Sequence, residues 1–206
     1  MLGKKLHEVG LVKETVPEHI SVKEAVLPFN KFSGVDTLLG PEMKSTGEVM
    51  GIDADFGAAL AKAQLGAGQR LPVEGTVFIS VSDQDKSGVL PVARKFAETG
   101  LTIIATRGTA KFLEENDISV SVIQKVSEGR PHVVDAIINN EIQIIVNTGG
   151  GDTSRRDGYH IRRAALKYAI PYTTTIAGAL ATARGVAALA ASPLGVKPIQ
   201  DYYAGA

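Results

Sequence analysis

The chain has 206 residues and a mass of 21.7 kDa, which at about 150 residues per domain predicts one large domain, or one domain plus a fragment. Its 22 basic and 22 acidic side chains cancel, which argues against non-specific binding to nucleic acid or anionic membranes, since both depend on a basic excess. The absence of cysteine excludes disulfides, Cys-ligated zinc, iron–sulfur clusters and a thiol nucleophile.

No segment of the sequence is typical of export or of a membrane span. The N-terminal MLGKKLHEVG has basic residues without an apolar run behind them, so we expect no signal peptide. The most apolar stretch, Gly178–Val196, is interrupted by Arg184 and Pro193 and falls short of the about 20 apolar residues that a span needs. We therefore expect a soluble, cytoplasmic protein with no membrane and no nucleic-acid partner.

The first third of the chain indicates a piece of a larger domain. A short amphipathic helix with Leu6, Val9 and Leu11 inward, a strand, and a helix with an acidic first turn are predicted from the spacing of apolar residues. These elements cover Leu2–Val12, Ile20–Phe29 and Asp53–Leu65. The residues between the strand and the second helix show no sustained period. So few apolar elements cannot close a core alone.

From residue 75 onward, apolar strands alternate regularly with helical patterns. The predicted strands are Thr76–Val81, Leu101–Ala105, Ser119–Ile123, Ile142–Val146 and Pro171–Thr174. The predicted helices are Ser87–Thr99, with Leu90, Ala93 and Ala97 on its inner face, Thr109–Glu115, Pro131–Asn139, Asp157–Ala169 and Ala177–Ala191. The alternation indicates an α/β fold with a five-stranded, mostly parallel sheet covered on both faces. The change of pattern over Gly66–Leu71 divides the chain into residues 1–68, an incomplete α+β segment, and residues 69–206.

Polar residues follow the ends of the predicted parallel strands, where ligands bind in open parallel sheets. The run TRGTA is the sharpest signal, because a strand leads into Gly108 and Thr109 opens a helix whose free N–H groups would hold a phosphate or carboxylate. Lys86 and Lys125 would neutralise such a phosphate, and Asn147 offers both a donor and an acceptor. The residues at this edge are Ser80, Ser82, Lys86, Thr106, Arg107, Gly108, Thr109, Lys125, Asn147, Thr148 and the glycines 149–151.

Other motifs are weaker indications of a functional site. The sequence has neither a GxxxxGK[ST] phosphate loop nor a GxGxxG run after a strand, and its four histidines lack metal-ligand spacing, so no metal site is expected. His132 and Asp135 are three residues apart on one predicted helix, which favours an ordinary pair on the helix surface over acid–base chemistry. A basic cluster fits a phosphate as well as it fits a solvated helix face or a subunit contact. Its members are Arg155, Arg156, Arg162 and Arg163.

Several stretches resemble the C-terminal end of the large subunit of the carbamoyl phosphate synthetase family. Val22–Gly51, VKEAVLPFNKFSGVDTLLGPEMKSTGEVMG, is similar to the end of the second ATP-grasp half, where carbamate is phosphorylated. The runs FISVSDQDK, ATRGTA, KVSEGRPH and IRRAAL are similar to the adjoining regulatory domain of that family. The resemblance implies that residues 69–206 have a methylglyoxal-synthase-like (Rossmann-like) fold and that residues 1–68 are a remnant of the ATP-grasp domain.

The resemblance also implies two ligand sites. A nucleoside monophosphate such as UMP or IMP would bind as an allosteric effector at Ser80, Lys86, Thr106, Gly108, Thr109, Lys125, Asn147 and Thr148. A threonine that the family has two residues after the asparagine is Gly149 here, so contacts to phosphate or ribose would differ. Ornithine would bind at Glu24, Leu27, Leu39, Tyr172 and Thr174, with Glu24 receiving its ammonium group.

The same resemblance implies what lies outside this chain. The ATP-binding residues of the family and the remaining carboxylates of the ornithine site are absent, so no catalytic residue and no cofactor is expected here. The parent enzyme of pyrimidine and arginine biosynthesis would use ATP with Mg or Mn, and K. Its partners would be the glutaminase small subunit, the rest of the large subunit and further copies of itself.

Three alternative functions share this fold. Methylglyoxal synthase carries a histidine where this chain has Ser82, and its acidic, glycine-rich loop is replaced by SEGRPHVVD. IMP cyclohydrolase has a TLHPK run that is absent here. An oligomerisation module is compatible with effector binding. Apolar residues of the first segment favour self-association or a poorly ordered N-terminus; they are Val26, Leu27, Phe29, Phe32, Leu38 and Leu39.

Overall fold

The computed structural model describes residues 3–10, 12–14, 16–27, 29, 47–149 and 152–202. A two-stranded antiparallel sheet comes first, with strands β1 (Ile20–Val26) and β2 (Gly47–Asp53), followed by helix α1 (Phe56–Gly66). The parallel strands are β3 (Thr76–Ser80), β4 (Thr102–Thr106), β5 (Ser121–Ile123), β6 (Ile144–Asn147) and β7 (Tyr172–Thr173). The helices between and after them are α2 (Lys86–Glu98), α3 (Arg107–Glu114), α4 (Val133–Ile138), α5 (Asp152–Lys167) and α6 (Ile176–Ala191).

The larger sheet has the strand order β5-β4-β3-β6-β7, and each neighbouring pair is parallel. Because side chains alternate between the faces of a strand, Val77 and Ile79 point to one face of β3 and Phe78 to the other, and all three are fully buried. Helices α1, α2, α3 and α6 contribute to the core on the first face, and α4 and α5 to the core on the second. The predicted α/β fold is therefore confirmed.

The N-terminal segment packs on the rest of the chain through α1 and α6. Gly57 is buried, and a Cβ added there would lie 2.5 Å from the carbonyl oxygen of Arg184 on α6. On the other side of α1, Gly51 of β2 lies so close to Ala59 that a Cβ would overlap its carbonyl oxygen. Tyr202 adds a link by donating from its hydroxyl to the carbonyl oxygen of Ile52, at 3.2 Å. Helix α1 therefore packs on the domain that follows it.

Two predictions for the N-terminal part were wrong. Among the described residues of the predicted helix, only Leu6–Val9 forms a helical turn, of 3-10 type. Leu6 and Val9 are 68% and 53% exposed, so they do not form the expected inner face. Strand β1 ends at Val26 rather than Phe29; Leu11, Phe32, Leu38 and Leu39 lie outside the described residues.

Helix bounds and faces also differ from prediction. Helix α3 begins at Arg107 instead of Thr109, and α5 begins at Asp152 instead of Asp157. Ala97 is exposed, because α2 turns Val89, Val92, Ala93 and Phe96 towards the sheet. Within the described ranges, no helix combines the length and the apolar character needed to cross a membrane.

Candidate functional site

The predicted ligand residues meet at the carboxyl edge of the parallel sheet. Ser80 is the last residue of β3 and pairs with Asn147, the last residue of β6. Thr106 is the last residue of β4 and pairs with Ile123 at the end of β5, two residues before Lys125. The parallel register thus brings residues from four segments of the chain to one edge.

Hydroxyl groups join β3, β4 and α3 at this edge. Ser80 Oγ and Thr106 Oγ1 lie 3.1 Å apart and share a hydrogen bond. Thr109 Oγ1 accepts the N–H of Val81 at 3.2 Å, so this buried hydroxyl fixes α3 to the end of β3. Thr106 and Thr109 therefore hold the framework of the site in addition to any ligand contact.

The N-terminus of α3 has the geometry of an anion site. Thr106 stands at the N-cap, and its side chain makes no capping hydrogen bond. The N–H groups of the first helical turn have no acceptor within their own helix. Gly108 lies in this turn, is exposed, and has no neighbouring atom within 4 Å of the position of a Cβ. Open N–H groups at the positive end of a helix dipole bind phosphate or carboxylate.

A second set of hydrogen bonds fixes the loop after β3 to the end of β6. The N–H of Ser82 donates to Thr148 Oγ1 at 3.1 Å, and Ser82 Oγ donates to Asp85 Oδ2 at 2.7 Å. Hydrogen bonding from Thr148, and then from Ser82, lowers the pKa of Asp85, so this carboxylate is ionised at neutral pH. Thr148 thus anchors the loop that carries Lys86, a role that sequence reasoning missed together with Asp85.

Both predicted lysines lie near one carboxylate. Lys86 Nζ is 2.7 Å from Asp83 Oδ1. The hydrogen bond and the charge of Lys86 lower the pKa of Asp83, and the charge of Lys125 lowers it further. Lys86 and Lys125 both follow strands that end at this edge, and their shared contact with a phosphate stays a prediction.

Asn147 presents a buried acceptor. Asn147 is 4% exposed. Its Nδ2 donates to the carbonyl oxygen of Ser80 at 3.5 Å, which is a long hydrogen bond. Among the described residues, Asn147 Oδ1 is buried without a hydrogen-bond partner. A buried acceptor left unsatisfied costs about 1–3 kcal/mol, so one more hydrogen bond to this oxygen would stabilise the strand end.

Helix α5 packs against Asn147. A Cβ at Gly158 would lie 3.0 Å from Asn147 Oδ1 and 2.7 Å from Arg162 Nη1, so both atoms reach the space that the glycine leaves open. Arg162 is 1% exposed and is the largest fully buried side chain, which excludes the solvated helix face considered for it. Arg163 is half-buried and Arg156 is exposed. In the sequence, the burial of Arg162 was indicated only by its position next to Ile161, which was predicted to face inward.

His132 and Asp135 form a local pair. The backbone N–H of His132 donates to Asp135 Oδ2 at 3.0 Å, and His132 Nδ1 lies 3.0 Å from the same oxygen. His132 stands at the N-cap of α4, so the pair begins that helix. The residue is 7% exposed and therefore lies below the surface on which it was expected.

The residues of the predicted ornithine site lie on separate elements. Glu24 is on β1, where burial raises the pKa of its carboxyl group and a hydrogen bond with Gln64 of α1 partly offsets the rise. Tyr172 belongs to β7, and Thr174 follows it before α6. Leu27 is half-buried after β1, and Leu39 lies outside the described residues.

A groove of about 710 Å³ lies away from the sheet edge, between the N-terminus of α1 and the C-terminal part of α6. Phe56, Lys95, Arg184 and Leu194 are among the residues that line it. The guanidinium carbon of Arg184 lies 5.9 Å from the centre of the Phe56 ring. This groove is a second place where a small molecule could bind.

The fold and the site agree with what the chain is similar to. The model of the MGS-like domain family matches residues 88–174, which span α2 to the end of β7. These residues form an MGS-like domain. Within this match lie α3 with its open N-terminus, Lys125, Asn147 and the supporting Arg162.

Over nearly its whole length the chain is a homologue of carbamoyl phosphate synthase large chains. It is 56% identical over 202 residues to the large chain of Nostoc and 52% identical over 204 residues to that of Archaeoglobus fulgidus. It is 48% identical over 204 residues to the chloroplastic, arginine-specific large chain of Arabidopsis thaliana. Each match covers 98% of this chain but spans 18%, 19% and 17% of the respective relative. The resemblance seen in the sequence is thereby confirmed.

Proposed function

We propose that the MGS-like domain binds a nucleoside monophosphate, such as UMP or IMP, as an allosteric effector of a carbamoyl phosphate synthase. The observation that carries the proposal is the open N-terminus of α3, at the same carboxyl edge of the sheet that leads into Lys86 and Lys125. Open N–H groups and two ammonium groups provide donors and charge for a phosphate dianion. An exposed glycine, Gly108, lets the phosphate approach the backbone.

The remainder of the nucleotide would extend towards Asn147. The side-chain amide of Asn147 would contact the ribose or the base, and Ser80 and Thr106 contribute hydroxyl groups from the adjacent strand ends. Thr148, Ser82 and Asp85 hold the loop of Lys86 in place. In this arrangement the site binds and orients a ligand, and no described side chain is assigned a bond-making step.

Calorimetry of UMP and IMP binding tests the proposal. Lys86→Ala or Lys125→Ala removes one charge-assisted contact and is expected to weaken binding by about 1.5–3 kcal/mol, roughly ten- to a hundredfold. Lys111→Ala is the matched control, because Lys111 is an exposed lysine on α3 whose pair with Glu115 lies at 3.9 Å. Unchanged affinity in both site variants, or no preference for the nucleotides over uridine and inosine, would contradict the proposal.

We infer further that Glu24, with Tyr172 and Thr174, contributes to ornithine binding in the whole synthase. The supporting observation is the carboxyl group of Glu24, whose pKa burial raises and which a cation would stabilise in its ionised form. In this chain ornithine is expected to bind weakly, because an ammonium group needs more than one carboxylate to offset its desolvation. Tight binding that Glu24→Gln abolishes would contradict this expectation.

Together, these proposals make the chain a regulatory part of a larger ligase. The ATP-dependent chemistry, the glutaminase subunit and the remainder of the large chain would then be supplied by other parts of that assembly. The chain by itself is expected to make no carbamoyl phosphate.

A further inference from the structure

A carboxylate lies beside Lys86, one of the two lysines assigned to the phosphate. Asp83 Oδ1 is 2.7 Å from Lys86 Nζ, and the side chain of Asp83 is 92% exposed while that of Lys86 is 28% exposed. Lys125 also acts on this carboxylate through its charge. The carboxylate of Asp83 is thus an anion of the protein itself, beside the lysine to which a phosphate would bind.

We propose that Asp83 sets a charge threshold for this site, because its carboxylate competes with an incoming anion for Lys86. A phosphate dianion displaces the carboxylate more readily than a ligand with one carboxylate does. The place of the phosphate rests on the proposed function, but that function assigns no role to Asp83. Asp83 is therefore a specificity-determining residue for the charge of the ligand.

Electrostatics explains why the two anions exclude each other. An ammonium group has three donors and could bond to both a phosphate and Asp83, but two anions held against the same nitrogen repel each other. A dianion is attracted to Lys86 and Lys125 about twice as strongly as a monoanion, since the interaction scales with the product of the charges. The phosphate therefore competes with Asp83 more effectively than a carboxylate ligand does.

The exposure of Asp83 makes its displacement inexpensive. Ion pairs between exposed side chains contribute little to stability, so breaking the pair with Lys86 releases a carboxylate directly into water. Asp85, two residues later, differs because Ser82 and Thr148 hold it in place. Asp85 is thus a fixed part of the framework of the site, and Asp83 is the carboxylate that a ligand displaces.

The test is a titration of the full chain with inorganic phosphate, acetate and UMP, followed by backbone amide NMR at Arg107, Gly108 and Thr109. Asp83→Asn is expected to bind phosphate about two- to fivefold more tightly, the range expected for loss of an exposed ion pair. It is also expected to bind acetate measurably. Asp83→Ser, which also removes the charge, is expected to behave in the same way.

Asp117→Asn is the matched control, since Asp117 is an exposed aspartate before β5, at the opposite edge of the sheet, and asparagine tolerates its positive φ of 61°. It is expected to leave phosphate affinity unchanged. In a Lys86→Ala background, Asp83→Asn is expected to lose most of its effect, because the competition runs through Lys86.

The outcomes separate this inference from the proposed function. If phosphate binds more tightly to Asp83→Asn but UMP binds to no variant, Asp83 acts as proposed and the nucleotide function is wrong. If UMP binds but Asp83→Asn tightens neither UMP nor phosphate, the function stands and the inference is overturned. Phosphate binding by none of the proteins, or an equal gain in Asp117→Asn, also overturns it.

Discussion

Gly158→Ala tests whether the packing of α5 holds the ligand edge. The added Cβ would lie 2.7 Å from Arg162 Nη1 and 3.0 Å from Asn147 Oδ1. Ordinarily the end of an arginine side chain moves aside at little cost. Here Arg162 is 1% exposed and Asn147 4% exposed, so neither atom can move into solvent and the surrounding core must shift instead.

The expected effect is a net loss of stability. Alanine is favoured over glycine inside a helix by about 1 kcal/mol. Overpacking of a filled core costs about 1–3 kcal/mol, and disturbing the partners of a buried charge costs up to about 3–5 kcal/mol. We expect the free energy of unfolding to fall by about 2 kcal/mol, which lowers Tm by roughly 4–8 °C for a chain of this size. Displacement of Asn147 should also weaken UMP binding.

Urea unfolding and differential scanning calorimetry measure this effect. Gly66→Ala is the control, because it adds a methyl group at the end of α1, where the nearest atom is Val49 Cβ at 3.3 Å. It is expected to change stability by less than about 1 kcal/mol. A Gly158→Ala variant that is as stable as the wild type and binds UMP equally well would refute the packing argument.

Two further substitutions test other parts of the structure. Gly57→Ala would place a Cβ 2.5 Å from the carbonyl oxygen of Arg184, so α1 and α6 must separate. We expect the free energy of unfolding to fall by about 1–3 kcal/mol and protease to cleave faster between α1 and β3. Asp53→Asn removes the 2.7 Å ion pair with Lys62, whose hydrogen bond lowers the pKa of Asp53. A carboxylate with a lowered pKa stabilises the folded state above its ordinary pKa of 3.8, so wild type and variant should differ by at most about 1 kcal/mol at pH 7. The difference should disappear as the pH falls through the lowered pKa, which urea titrations at pH 7 and pH 2 would show. Equal protease resistance for Gly57→Ala, or a pH-independent difference for Asp53→Asn, would contradict these expectations.

The sheet was predictable because its strands are continuous apolar runs separated by turn signals and helices. TVFIS and IIVN are buried on both faces, which only a strand covered by helices on each side explains. Once the strands were known to be parallel, the carboxyl-edge rule selected Thr106, Lys125 and Asn147 without knowledge of the coordinates.

The supporting contacts were not predictable in the same way. A charged residue such as Arg162 is normally exposed, and its burial depends on a glycine four residues earlier that leaves space for it. Thr148 looked like a ligand contact, but the bond it receives from Ser82 becomes visible only when two strand ends lie side by side. Periodicity likewise suggested a helix at Leu2–Val12, but Leu6 and Val9, expected on its inner face, are mostly exposed.

The most direct test of the nucleotide site is the map of backbone and side-chain amide shifts in the ¹⁵N-labelled chain during titration with UMP. The site described above predicts that the largest shifts occur at Arg107, Gly108 and Thr109 and at the side-chain amide of Asn147. If the largest shifts instead surround Phe56 and Arg184, in the groove between α1 and α6, the sheet edge is not the nucleotide site.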